Sequence, residues 1–268
     1  MWRAVSGQTH TGKVKVLPPG QARTRTQGSS DVTALGFLYP GHAAEDDYPR
    51  IEQTLASDIR LPLVHVPARG GEAGWPGEAL AGEAAEELRL SGAEAVVWAS
   101  TLGSASGGPD EAVRQADRLA KDAGAPASGT AAAFVNAARE LGMTRVSLAT
   151  PYDEAQTETL AGYLRAAGFD VVRAVAGGPA SPAEAADWDA EAQAKLVREA
   201  AEPGPDGVLL ACTALRTAAH IPQLEVAAGR PVLTANQVSV WEALRLAERR
   251  VREPALGTLF TVLPPVRG

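Results

Sequence analysis

Residues 207–217 read GVLLACTALRT and contain the only cysteine of the chain, Cys212. The apolar run follows Asp206 and ends in small polar residues, which predicts a buried strand that ends in a tight turn. In open α/β sheets, ligands bind at the carboxyl ends of strands, where Cys212 and Thr213 would lie. The alternative is a structural role, because an unpaired cysteine is among the most frequently buried residues.

Strand and helix patterns alternate on both sides of this stretch, which predicts an α/β fold with parallel sheets flanked by helices. Strands are predicted over 32–39, 61–66, 95–99, 145–150, 170–174, 208–211 and 230–234. Helices are predicted over 48–56, 76–90, 109–123, 130–141, 153–167, 187–201 and 237–249, with a helical patch near Ile221. A flexible loop with Gly103, Gly107 and Gly108 is expected after the third strand.

The order of these elements occurs twice along the chain. Pro40 and Ser100 are 60 residues apart, and Pro151 and Cys212 are 61 residues apart. In each half the third strand ends in Ala-Ser-Thr or Ala-Cys-Thr, at 99–101 and 211–213. Two similar units whose strand ends face each other would enclose one site, with Ser100 and Cys212 on opposite sides of it.

Composition excludes several classes of protein. With 268 residues and 45% hydrophobic content, the chain can form one large or two small domains. One cysteine excludes an intramolecular disulfide, and no apolar run is long enough for a membrane span, so a cytoplasmic location is expected. Four histidines are scattered along the sequence without metal-ligand spacing, which predicts no metal site: His10, His42, His65 and His220.

Charge is distributed unevenly along the chain. Residues 1–30 are expected to form a disordered leader, and they carry five basic residues and no acid: Arg3, Lys13, Lys15, Arg23 and Arg25. Removing these five charges from the net charge of −7 leaves −12 on the remainder. Such an acidic body argues against nucleic acid as a partner.

The second half resembles a known family. Its motifs are Thr150-Pro151-Tyr152, residues 211–217, and 231–237 followed by Trp241. They resemble the aspartate/glutamate racemase superfamily, in the branch with maleate cis–trans isomerases and arylmalonate decarboxylases, over about residues 31–250. The resemblance implies two pseudo-symmetric lobes with a site between them, no cofactor, no metal, and a homodimer. The first lobe is expected over 31–127 plus about 235–268, and the second over 128–234.

Racemases and isomerases of this superfamily have a cysteine at the end of the third strand in both halves. This chain has Ser100 at the first of these two positions and Cys212 at the second. The decarboxylase branch keeps only the second cysteine, so the resemblance implies that Cys212 protonates an enediolate formed by loss of a carboxylate. Its oxygens would be bound by Thr101, Tyr152 and Thr213, with further contacts from Ser100 and Ser104. The implied substrate is a small carboxylate or dicarboxylate.

Two further candidates are less closely tied to that chemistry. Tyr39 ends the first strand and is a candidate for lining the pocket. Asn236 precedes the last helix and is a candidate either for contacting substrate or for capping that helix or bracing the interface. The Tyr39–His42 turn lacks the asparagine common in the isomerases, and Leu102 replaces a small polar residue. Both differences make the pocket more apolar and count against maleate as substrate.

Three other functions remain open on the sequence. Ser100 could stand in for the first thiol of a maleate-type isomerase or an Asp/Glu-type racemase. The chain could be a non-catalytic dicarboxylate-binding protein that kept the fold. Cys212 could act as the nucleophile of a hydrolase, which requires a general base, and His42 is the candidate.

Overall fold

The computed structural model describes residues 32–55, 58–67, 78–178 and 180–262, without the side chains of 78–80. The expected leader over 1–30 lies outside the described residues. Strands and helices alternate along the described chain, and every strand pair is parallel. In these residues no helix is both long and apolar enough to cross a membrane.

The first sheet has five strands, which pair in the order β2-β1-β4-β5, with β3 continuing along β1 beyond β2. These strands are β1 (Thr33–Pro40), β2 (Ile59–Arg60), β3 (Leu63–Val66), β4 (Ala93–Trp98) and β5 (Ala127–Gly129). The helices between and after them are α1 (Asp47–Thr54), α2 (Glu78–Leu90), α3 (Thr101–Ala105), α4 (Gly108–Ala123) and α5 (Thr130–Glu140).

The second sheet has four strands in the order β7-β6-β8-β9. These are β6 (Arg145–Thr150), β7 (Asp170–Ala176), β8 (Gly207–Leu210) and β9 (Val232–Thr234). The helices are α6 (Glu154–Ala166), α7 (Pro182–Ala186), α8 (Ala190–Ala201), α9 (Ile221–Ala228) and α10 (Ala235–Leu246), followed by 3₁₀ turns at Pro254–Leu256 and Thr258–Thr261. The α/β fold with two similar parallel sheets is therefore confirmed.

The two sheets are built alike around the predicted strand ends. In the first sheet β1 lies between β2 and β4, and in the second sheet β6 lies between β7 and β8. The ladder extends one residue past β4 and β8 in both, since Ala99 N donates to Leu38 O (2.8 Å) and Ala211 N donates to Ala149 O (2.9 Å). Ser100 and Cys212, the next residues, thus occupy equivalent positions at the carboxyl edges of their sheets.

The two sheets share one apolar core. A continuous cluster of buried side chains includes Phe37 and Val97 of the first sheet and Leu148 and Leu209 of the second. α10 leaves the second sheet and packs on α5 and on β4 and β5 of the first. A smaller cluster fills the space between the first sheet and α2 and α4. The predicted lobe boundaries themselves stay predictions.

The predicted loop after β4 is wrong over residues 101–105, which form α3. The helix begins directly after Ser100 because the Ser100 hydroxyl accepts a hydrogen bond from Gly103 N (3.1 Å) and caps it. Gly107 does lie in the turn before α4 and Gly108 begins that helix, with φ of 82° and 80°, a backbone conformation that glycine adopts without strain. A second difference is α7, a short helix before α8 that the sequence pattern did not predict.

Gly129 is a point of close packing between α3 and the start of α5. A Cβ added there would lie 2.6 Å from Ser104 Cβ, whereas one added at Gly162 in α6 would meet nothing within 4 Å. We expect Gly129→Ala to lower the free energy of unfolding by about 1–3 kcal/mol through overpacking. Urea denaturation measures this, and the matched control Gly162→Ala should raise stability by about 0.5–1 kcal/mol. Equal stabilities for the two variants would contradict the close contact.

Candidate functional site

Cys212 follows β8 and is buried, with 1% of its surface exposed. Its Sγ accepts a hydrogen bond from Ala214 N at 3.3 Å, and its carbonyl accepts one from Leu215 N. The next regular helix, α9, begins only at Ile221, so Cys212 begins a turn, unlike Ser100, which caps a helix. The Ala214 amide is thus directed at the sulfur of a buried thiol.

Thr101 lies at the first position of α3 and is 1% exposed. Its hydroxyl has no hydrogen-bond partner among the described residues. Thr101 lines a cavity of about 10 Å³ together with Ala211, the residue before Cys212. The other walls of this cavity are mainly apolar side chains of the core, such as Phe134, Leu148 and Leu160, so the Thr101 hydroxyl borders an apolar space. A buried hydroxyl without a partner is costly for folding, and a bound polar group would satisfy it.

Tyr39 connects the first sheet to the turn that follows Cys212. Its hydroxyl donates to Thr213 O (2.9 Å) and accepts from Ala44 N (3.0 Å). Burial, Tyr48 and the neighbouring Cys212 raise the pKa of Tyr39 far above its ordinary value, so it remains a neutral phenol. Because both hydrogen bonds are made to backbone, the structure favours a positioning role for Tyr39.

Asp47 and Asn236 form a buried polar group beneath the same turn. The Asn236 amide donates to Asp47 Oδ2 (3.1 Å) and to Thr213 O (3.2 Å). Asp47 Oδ2 also accepts from Thr217 N (2.8 Å) and Ala218 N (3.2 Å). Burial raises the pKa of Asp47, while these donors act in the opposite direction. The Asn236 amide therefore braces this turn, whereas Thr234 and Gln237 cap the last helix.

Asp47 is a residue that the sequence analysis missed. It stands in the first turn of α1, where an acidic side chain is ordinary and usually exposed. Its partners lie 170 residues further along the chain, and no local sequence pattern predicts that contact. Arg216, in the same turn, reaches back to Asp46 and to Ala43 O and so fastens the turn from its outer side.

Tyr152 lies at the edge of its sheet, whereas Ser104 and Leu102 are held within the fold. Tyr152 directly follows the residue after β6 and is 3% exposed, so it stands at the same edge of its sheet as Cys212. The Ser104 hydroxyl donates to Ser100 O and accepts from Ala131 N (2.8 Å), which joins α3 to α5 and favours a structural role. Leu102 is buried in the apolar core.

His42 and His65 come together in the fold, although their spacing in the sequence does not indicate a pair. β3 pairs with β1 so that His65 lies beside Tyr39, and the turn after β1 brings His42 over it. The ring centroids of the two histidines are 4.1 Å apart. Glu45 Oε1 lies 3.3 Å from His42 Nδ1 and 3.7 Å from His65 Nε2. Partial burial and the nearby His42 lower the pKa of His65.

Comparison with known sequences identifies related enzymes. An arylmalonate decarboxylase of Bordetella bronchiseptica is 33% identical over 140 residues, which cover 51% of this chain and 58% of that protein. A maleate isomerase of Alcaligenes faecalis is 27% identical over 141 residues, which cover 52% of this chain and 56% of that protein. The chain thus matches little more than half of the length of each of these curated relatives.

Solved structures are similar over most of the described chain. A mutant of arylmalonate decarboxylase in a sulfate-associated form has a TM-score of 0.74 at 26% identity, covering 85% of this chain and 100% of that one. A maleate isomerase from Pseudomonas putida S16 with maleate has a TM-score of 0.77 at 20% identity, covering 86% and 98%. The second likeness concerns the fold alone.

The sequence profile named arylmalonate decarboxylase matches residues 79–260, more than half of the chain. This range contains both strand ends and the turn after Cys212. The resemblance to the isomerase and decarboxylase branch is thereby confirmed. The chain belongs to the arylmalonate decarboxylase family.

Proposed function

We propose that the protein is a cofactor-independent decarboxylase of a malonate-type acid, in which Cys212 delivers a proton to the α-carbon. The observation that carries this proposal is the asymmetry of the two strand ends. One ends in a buried thiol that accepts an amide hydrogen bond, and the other in Ser100, whose hydroxyl accepts one from Gly103 N as a helix cap. The site therefore offers one thiol, and no second thiol exists in the chain.

The proposed reaction has two steps. The bond between the α-carbon and one carboxylate breaks, carbon dioxide leaves, and the electron pair spreads over the remaining carboxylate as an enediolate. The Cys212 thiol then gives its proton to the α-carbon, and the resulting thiolate takes up a proton from water. Each turnover consumes one proton and converts one carboxylate to carbon dioxide.

The surrounding groups suit the charges that develop. The Ala214 amide, 3.3 Å from Sγ, stabilises the thiolate left after protonation. The unpartnered Thr101 hydroxyl is a donor for an enediolate oxygen, and we assign the same role to Tyr152 and Thr213. Preorganised neutral donors in a buried site can stabilise an oxyanion without a metal ion. Tyr39 and Asn236 hold the turn that carries Cys212 and Thr213.

A maleate-type isomerase is the second candidate, favoured by the similarity to the Alcaligenes faecalis maleate isomerase. It would require Ser100 to act in place of a thiol. A serine hydroxyl is a weak base and nucleophile unless a neighbouring base activates it. Asp/Glu-type racemisation meets the same difficulty. The expected homodimer and cytoplasmic location stay predictions alongside either reaction.

Proton NMR in D2O distinguishes these reactions. The wild type is incubated with disubstituted malonates, maleate, aspartate and glutamate, and Ser100→Ala serves as the matched variant. We expect monoacid carrying one deuterium at the α-carbon, from a malonate alone. Ser100→Ala should retain this activity while losing about 0.5–2 kcal/mol of stability with the helix cap. Fumarate from maleate, exchange at an amino-acid α-carbon, or no reaction with any malonate would contradict the proposal.

A further inference from the structure

We propose that His42, Glu45 and His65 form a binding site for a zinc-type divalent metal ion, with a coordination position open to solvent. The proposal concerns a place next to the Cys212 turn and does not depend on the reaction assigned above. It stands on the geometry of three side chains whose ligand atoms all lie within 4.8 Å of one another.

The distances approach those of a tetrahedral site. Bonds of about 2.0–2.1 Å at tetrahedral angles separate neighbouring ligand atoms by about 3.3–3.4 Å. Glu45 Oε1 lies 3.3 Å from His42 Nδ1, which already matches one edge. The same oxygen lies 3.7 Å from His65 Nε2, which is within about 0.4 Å of the second edge.

The carboxylate is oriented for this role by the backbone. Glu45 Oε2 accepts a hydrogen bond from Ala43 N at 2.7 Å, which leaves Oε1 turned toward the two histidines. Such contacts around a metal ligand fix its direction and are a regular part of metal sites. His65 is held on its other side by the edge-on ring of Tyr39, with centroids 6.1 Å apart.

The backbone that carries the three ligands is fixed before any ion binds. His65 belongs to β3, in register with Tyr39 of β1. The turn with His42 and Glu45 is tied down before Glu45 by the hydrogen bond from Ala44 N to the Tyr39 hydroxyl, and after it by the contact of Asp46 with Arg216. A site on a fixed backbone loses little conformational entropy when the ion binds.

The ligand types define the class of metal. Two imidazoles and one carboxylate suit zinc, cobalt, nickel and copper, whereas magnesium and calcium prefer oxygen ligands alone. The His42 side chain is 73% exposed, and those of Glu45 and His65 are 32% and 36% exposed, so an ion can enter from solvent. Three protein ligands leave the fourth tetrahedral position to water or to an anion.

Metal titration of the full chain, without affinity tag and after chelator treatment, tests the site. We expect one cobalt ion per chain with the intense visible absorption of tetrahedral cobalt, displaced by zinc and not by magnesium. We expect three substitutions each to weaken cobalt binding by about 100-fold or more: His42→Ala, His65→Ala and Glu45→Gln. Loss of a residue that only contacts a metal ligand costs about 10- to 100-fold in affinity. Glu45→Gln retains an oxygen for the Ala43 amide and so preserves the turn.

Matched controls separate this site from other potential ligands. His220→Ala and Cys212→Ala should bind cobalt with unchanged affinity and spectrum, because neither of these described residues belongs to the cluster. Zinc should also raise the melting temperature of the wild type but not that of the His42→Ala/His65→Ala double variant. Absence of saturable binding by the wild type, or binding that survives in the double variant, would overturn the proposal.

Discussion

Replacing Cys212 by alanine is expected to lower the rate of malonate decarboxylation by about 10²- to 10⁴-fold, the usual contribution of a positioned acid. Loss of the thiol removes the proton donor and leaves the enediolate to be protonated by water. The donors assigned to its oxygens remain, so slow carbon dioxide release should persist. Initial rates of monoacid formation, followed by proton NMR, measure the effect.

Cys212→Ser is the matched variant, since it keeps a donor of similar size whose proton is far less acidic. Both variants should fold, because neither side chain is larger than that of cysteine, and the serine hydroxyl of Cys212→Ser can accept the hydrogen bond of the Ala214 amide. Activity of Cys212→Ala within about tenfold of the wild type would rule out the thiol as the proton donor, given the usual effect of such a group.

Asp47→Ala is expected to destabilise the protein by about 2–6 kcal/mol, counted as two buried amides left without an acceptor at about 1–3 kcal/mol each. The two amides are Thr217 N and Ala218 N, which donate to Asp47 across the lobes. Since the turn from Cys212 to Ala218 rests on this carboxylate, activity should fall with stability. Urea denaturation and kinetics on the folded variant measure the two effects.

The neighbouring Asp46→Ala is the control for Asp47. Asp46 pairs with Arg216 at the surface, with a side chain 55% exposed, and such pairs contribute about 0–1 kcal/mol. Asp47→Asn keeps the volume and one acceptor oxygen, so it should fold and lose less stability than Asp47→Ala. If Asp46→Ala and Asp47→Ala were equally destabilising, the bracing role of Asp47 would be wrong.

The fold could be predicted because strands in the middle of each sheet, β1 and β8, are buried along their whole length. All eight residues of β1 and all four of β8 are buried, so each is a continuous apolar run. The helix α3 could not be predicted in this way, since five residues are too few to show a helical period. Its signal is the Ser100 cap, which resembles a turn in the sequence.

The site could be predicted only where a motif marks it. Cys212, Thr101 and Tyr152 are predicted from strand ends and from family motifs, and their roles stay predictions. Asp47 was missed because its burial comes from a contact 170 residues away. His42 and His65 were judged separate because 23 positions divide them in the sequence, while parallel pairing of β1 and β3 brings them together.

The proposed decarboxylation requires one thiol, Cys212, to protonate one face of a planar intermediate. It is tested most directly by the enantiomeric composition and deuterium content of the acid that the wild type forms from a prochiral disubstituted malonate in D2O. The single-thiol account predicts one enantiomer in large excess with one deuterium at the α-carbon. A racemic product, or the same enantiomeric excess at an undiminished rate from Cys212→Ala, would contradict it.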